Sequence, residues 1–208
     1  MTDDHTEATA RRRAVVVAGH RGDAGTARSA LDDEDPGVRA SALAALARCD
    51  GLNEAELVRG LGDPAVEVRR RAALVAANRD DAAAELAALL DDPDATVVEV
   101  AAFACGERND ATASVVERLV ALSGAHEDAL CREAAVAALG SIGAPEGLPA
   151  VLAACEDRAT VRRRAVLALA AFDGPEVSAM LERLTEDRDL QVRQAAEELL
   201  AIEQGEQL

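Results

Sequence analysis

Leu61-Gly62-Asp63-Pro64-Ala65-Val66-Glu67-Val68-Arg69-Arg70-Arg71-Ala72 decides the fold of this chain, because it joins a turn, a helix start and a Val-Arg step in one short run. Asp63 before Pro64 reads as a capping carboxylate followed by a residue whose missing N–H costs nothing in a first helical turn. Asp35-Pro36 and Asp92-Pro93 read the same way. Working outward, the Val-Arg step returns at Val38-Arg39, Val161-Arg162 and Val192-Arg193, with variants Ala10-Arg11, Cys131-Arg132 and Val97-Val98. The anchors fall at 11, 39, 69, 98, 132, 162 and 193, with steps of 28, 30, 29, 34, 30 and 31 residues. Spacing this even marks a repeat architecture.

Inside each copy the third residue past the anchor is Ala: Ala14, Ala42, Ala72, Ala101, Ala135, Ala165 and Ala196. Apolar or small residues at −1, +3, +6 and +7 define one face of a helix, here named helix B. A second amphipathic stretch precedes most copies, at about 24–32, 53–62, 80–91, 112–122, 146–156 and 175–186, and is named helix A. Asp50-Gly51, Gly140 to Gly143 and Asp173-Gly174 supply turn punctuation. The expectation is an all-α chain, one domain over 1–208, with an N-terminal half-repeat at about 6–20, six helix pairs at about 23–203 and a short acidic C-terminal tail.

The runs Leu61 to Arg69 and Leu31-Asp32-Asp33-Glu34-Asp35-Pro36-Gly37-Val38-Arg39 resemble HEAT repeats, in the short subtype found in phycobiliprotein-lyase-like proteins. The resemblance runs from about residue 8 to 203. It implies an α-solenoid of the HEAT/armadillo kind: a right-handed superhelix of antiparallel helix pairs, with helices B on the concave side. It further implies a ladder in which each anchor Arg bonds an Asp in a neighbouring turn. Arg39, Arg69, Arg132, Arg162 and Arg193 match the donor position, with Asp35, Asp94, Asp128 and Asp189 as acceptors.

Composition narrows the function classes. Basic residues, all Arg, number 22 against 39 acidic ones, for a net charge of −17, which opposes binding to phosphate backbones and anionic membranes. Phe103 and Phe172 are the only aromatic residues, so base stacking and Trp/Tyr anchors are not available. That disfavours a HEAT-like DNA glycosylase. Residues 1–10 are polar and acidic, unlike a signal peptide, and no apolar run approaches the ~18 residues of a membrane span. Cys49, Cys105, Cys131 and Cys155 lack CxxC spacing and read as reduced buried thiols of a cytoplasmic protein.

Catalysis and cofactors find no support. HEAT-like deoxyhypusine hydroxylase holds iron with several His-Glu dyads, and this chain has one, His126-Glu127. His5 and His20 are far from it in sequence, so no metal or cofactor is expected. What remains is a protein-binding scaffold. The residues just past the anchors, Arg12, Arg13, Arg70, Arg71, Arg163 and Arg164, should face the concave side together with Arg48. Glu99, Val100, Glu107 and Glu133 would make its middle acidic or apolar, with Val98 and Val100 as candidate contacts there. The face would be basic near both ends and suited to an acidic partner, unless those Arg pair with local carboxylates. The +4 and +5 positions read as buried flanks: Val15-Val16, Leu43-Ala44, Ala73-Leu74, Ala102-Phe103, Val136-Ala137 and Val166-Leu167. Glu197-Glu198 then reads as a polar cap that opposes end-to-end stacking, hence a monomer. A phycobiliprotein-lyase-like role in handling a chromophore or its carrier is the alternative that the resemblance implies.

Overall fold

The computed structural model describes residues 2–203 and 205, and the rest of the acidic tail lies outside the described residues, as does the side chain of His5. Among the described residues thirteen α-helices follow one another: α1 Thr2–Arg21, α2 Ala24–Ser29, α3 Pro36–Arg48, α4 Glu54–Leu61, α5 Val66–Ala76, α6 Ala83–Ala88 and α7 Ala95–Glu107, then α8 Ala113–Ala125, α9 Ala129–Ile142, α10 Leu148–Ala154, α11 Ala159–Ala168, α12 Pro175–Leu184 and α13 Leu190–Glu203. There is no strand among the described residues. The B helices are α1, α3, α5, α7, α9, α11 and α13. Helices α2 and α6 are short, and each tightens into a 3-10 turn before the loop to its B helix.

By its contacts the chain divides into two compact units, Met1–Ala104 and Cys105–Leu208. In the first, α1 packs on α3 and α3 on α5, while α2 and α4 lie against their following B helices. In the second, α9 packs on α11 and α11 on α13, with α8 against α9 and α12 against α13.

The repeat generates the core. The −1 residues Val38, Val68, Val97, Cys131, Val161 and Val192 are buried, as are the +3 alanines from Ala42 to Ala196. Leu46, Leu139 and Leu169 fill the +7 position and are also buried. Each such Val or Leu withdrawn from water contributes about 1.5–3 kcal/mol. Ala14 is the one +3 alanine left exposed, since α1 follows no helix A among the described residues.

Small residues let B helices approach closely. A Cβ added at Gly140 in α9 would sit 2.6 Å from the Cβ and 2.8 Å from the Cα of Ala168 in α11. Gly19 meets Ala45 and Gly106 meets Ala138 at 2.7 Å in the same register, eight residues past one anchor and six past the next. The turns differ in one detail from the Gly-based expectation. Gly143 takes a left-handed φ of 64° as the residue closing α9, but at Asp50-Gly51 it is Asp50 that does so, at φ 52°.

Candidate protein-interaction surface

The loop before each B helix carries two acidic positions with separate tasks. Six residues before the anchor, Asp33, Asp63 and Asp187 accept from the backbone N–H two residues on. Each also takes a two-point grip from the anchor Arg of the preceding repeat. Arg11 bonds Asp33, Arg39 bonds Asp63 at 3.0 and 2.8 Å, Arg69 bonds Asp92 at 2.7 and 2.9 Å, and Arg162 bonds Asp187 at 2.9 and 2.8 Å. Arg132 grips Asp157 at 2.6 and 2.9 Å, where the loop is one residue shorter. The free Nη1 of Arg39, Arg69, Arg132 and Arg162 donates to carbonyl oxygens of its own loop, and Arg193 does the same to Asp187 O. A planar guanidinium thus ties two consecutive turns together.

The ladder acceptors are therefore not Asp35, Asp94, Asp128 and Asp189. Those residues stand four before the anchor and face the first turn of their own helix. Asp35 accepts from Val38 N, Asp94 from Thr96 N, Asp128 from Leu130 N and Asp189 from Gln191 N. Of the three Asp-Pro pairs, only Asp35-Pro36 caps a helix directly. The N-cap of α5 is Ala65, which leaves Asp63 free for Arg39.

The electrostatics follow the pairing. The Arg162 hydrogen bond holds the Asp187 carboxyl below its ordinary range, and Arg132 does the same for Asp157 and Arg11 for Asp33. For Asp63 burial pushes upward, and the Arg39 bond with the Ala65 N–H outweighs it. Asp189 is lowered to about 2, chiefly by Arg163.

The other exposed face of helices B is set by the 100° advance per residue. Positions +1, +2, +5 and +9 share one side, opposite the core. The +4 residues Val15, Leu43, Ala73, Ala102, Val136 and Val166 are buried as flanks, but the +5 residues are not. Val16 is 39% exposed, Leu74 39%, Phe103 47% and Leu167 54%. The expectation of buried +5 residues fails because +5 lies a further 100° around the helix from +4. They are the members of the surface that the sequence pattern hides.

In the first unit this apolar line runs beside cationic side chains. Arg12, Arg13, Arg48, Arg70 and Arg71 are exposed, as expected. Arg12 donates to Ser41 Oγ at 3.2 Å, and Arg13, Arg48, Arg70 and Arg71 have no hydrogen-bond or ion-pair partner among the described residues. The small residues Gly37 and Ala40 of α3 leave a depression of about 210 Å³, walled by Arg12 on one side and by Arg70, Arg71 and Leu74 on the other, and Glu67 also lines it near Gly37. Val100 is half-buried at the α7 end, but Val98 is 1% exposed and belongs to the core, so it offers nothing to a partner.

The second unit differs. Arg163 is committed to Asp189 through bonds of 3.0 and 2.6 Å, and Arg164 lies 3.6 Å from Glu133. The expectation of a basic surface at both ends holds a free cationic cluster only in the first unit.

Burial raises the Cys105 thiol to about 11 and the Cys155 thiol to about 12, far from thiolate formation at neutral pH. Among the described residues no group of three or more His, Cys, Asp or Glu could hold a metal ion. No helix among them is long and apolar enough to cross a membrane.

Known proteins place this arrangement. The family model described as HEAT repeats matches residues 83–160 and 116–201. Among solved structures, an engineered protein is similar at a TM-score of 0.66 and 22% identity, over 86% of this chain and 97% of its own. A designed armadillo repeat protein in complex with the peptide (KR)4 is similar at 0.64 and 20% identity, over 83% and 95%. A chain in the complex of CpcE and CpcF of phycocyanin lyase from Nostoc sp. PCC7120 is similar at 0.62 and 25% identity, over 86% and 76%. No curated protein matches the sequence. The all-helical fold is an α-solenoid of the HEAT/armadillo type. With the family model spanning more than half of its residues, the chain belongs to the HEAT-repeat family.

Proposed function

We propose that this protein is a non-catalytic interaction scaffold that binds a partner protein through the exposed face of its B helices. One observation carries the reading. Leu74 and Phe103 stand exposed in register on α5 and α7, beside Arg70 and Arg71, which no internal carboxylate engages. Apolar side chains rimmed by Arg are what a partner surface requires, since the apolar centre supplies affinity and the charges supply orientation. The anchor arginines Arg11, Arg39, Arg69, Arg132 and Arg162 are committed to the ladder, whereas Arg70 and Arg71 beside them are not. The free thiols of Cys49, Cys105, Cys131 and Cys155 fit a cytoplasmic protein, and we take it to act as a monomer. The test is affinity capture from the native host with the wild-type chain and with a Leu74→Asp, Phe103→Asp variant. Proteins held by the wild type and lost with a folded variant support the reading, and identical capture contradicts it.

The likeness to the phycocyanin lyase complex supports a second reading, a subunit that handles a chromophore or its carrier. Adding bilin to the chain and recording its absorption spectrum tests it, since a binding subunit must shift the spectrum.

A further inference from the structure

We infer that the depression over α3 takes an acidic segment of the partner, in which carboxylates flank small or apolar side chains; the inference rests on the interaction reading above. Its floor is Gly37 and Ala40, too small to fill the space between α1 and α5. Arg12 stands on the α1 side and Arg70 and Arg71 on the α5 side, so guanidinium groups line both walls, with Glu67 as the one carboxylate among them. In a chain with 39 acidic and 22 basic residues, carboxylates are abundant enough to pair every Arg. The ladder shows that pairing: Arg11, Arg39, Arg69, Arg132 and Arg162 each hold a carboxylate. Arg163 and Arg164, at the same register positions in the second unit, have theirs as well. Arg13, Arg70 and Arg71 do not. Arg70 and Arg71 face Arg12, whose one side-chain partner is the neutral Ser41 hydroxyl, across this groove, and such a cluster in a strongly negative chain favours an anionic ligand there. The apolar floor and the exposed Leu74 select a peptide with side chains to bury over a highly hydrated polyanion.

Fluorescence anisotropy with the full chain tests this. The probes are a labelled peptide of alternating Glu and Leu, its Lys-Leu counterpart of equal length, and an oligouridylate of equal charge as competitor. The Glu-Leu peptide should bind, with affinity falling as salt rises. Arg70→Glu with Arg71→Glu should weaken it at least about tenfold while leaving the helical circular dichroism unchanged. Arg12→Glu, on the α1 wall, should weaken it as well. Absence of Glu-Leu binding at low salt, preference for Lys-Leu, equal binding by both Arg variants, or displacement by oligouridylate at peptide-like concentrations overturns the inference. Capture of host partners separates this from the broader reading. Loss with the Leu74→Asp, Phe103→Asp variant but not with the Arg variants leaves the scaffold standing without an acidic ligand, and loss with neither removes both.

Discussion

Arg162 closes on Asp187 through two parallel hydrogen bonds, Nε at 2.9 Å and Nη2 at 2.8 Å, across 25 residues of chain. With side chains only 6% and 12% exposed, the pair is shielded more than most surface ion pairs. Removing the Arg leaves the Asp187 carboxylate and the Asp157 carbonyl without their donor. Arg162→Ala should cost about 2–4 kcal/mol, measured as the shift in urea midpoint. A change under about 0.5 kcal/mol would place the pair among decorative surface bridges.

The two acidic loop positions separate by size of effect. Asp128 bonds only its own loop and helix, so Asp128→Ala should cost about 1 kcal/mol, as for a lost N-cap. Asp187→Ala should cost more, because Arg162 loses its carboxylate and the Asp189 N–H loses its acceptor. Equal costs would return the ladder role to the residue four before the anchor.

Acid sensitivity follows from the same pairs. Asp33, Asp63, Asp157, Asp187 and Asp189 all have folded pKa values below their ordinary ones. A carboxyl depressed on folding contributes its full stabilisation above its unfolded pKa, about 3.9, and loses it as pH falls through the folded value. Thermal midpoints should therefore vary little through these groups from pH 7 to about 4.5 and fall steeply from about pH 4 downward. Asp189, lowered to about 2, should be among the last to go, and Arg163→Ala should raise its pKa as read by carboxyl NMR titration.

Close packing of B helices gives a prediction opposite to helix propensity. Replacing a helical Gly gains up to about 1 kcal/mol in propensity terms for Ala and less for Val. At Gly140 the added Cβ would lie 2.8 Å from the Ala168 backbone, so α9 and α11 must separate. Gly140→Val should lower stability by about 1–3 kcal/mol in denaturant unfolding. Gly124, with nothing within 4 Å of an added Cβ, should tolerate Ala with no loss.

Helix number, repeat register and the core were legible because −1, +3 and +7 carry residues that only a buried face explains, such as Val68, Ala72 and Leu46. The ladder donors were legible for the same reason, since Arg69 and Arg162 recur in fixed register. Their acceptors were not: Asp33 and Asp35 sit two apart, both suit a turn, and only the loop geometry divides gripping from capping. The apolar line was hidden for another reason. Leu74 and Phe103 look like core in composition, and only the angle separating +4 from +5 turns them outward. The fate of the groove arginines depended on partners distant in sequence: Asp189 takes up Arg163, and nothing equivalent takes up Arg70.

The measurement that bears most directly on the interaction face is hydrogen exchange or covalent footprinting of the chain with a captured partner bound. Protection should appear on the outward residues of α1, α3 and α5 and at Leu74 and Phe103, leaving helices A unchanged. Protection confined to helices A, or none on the B-helix face, would contradict the assignment of partner binding to this surface.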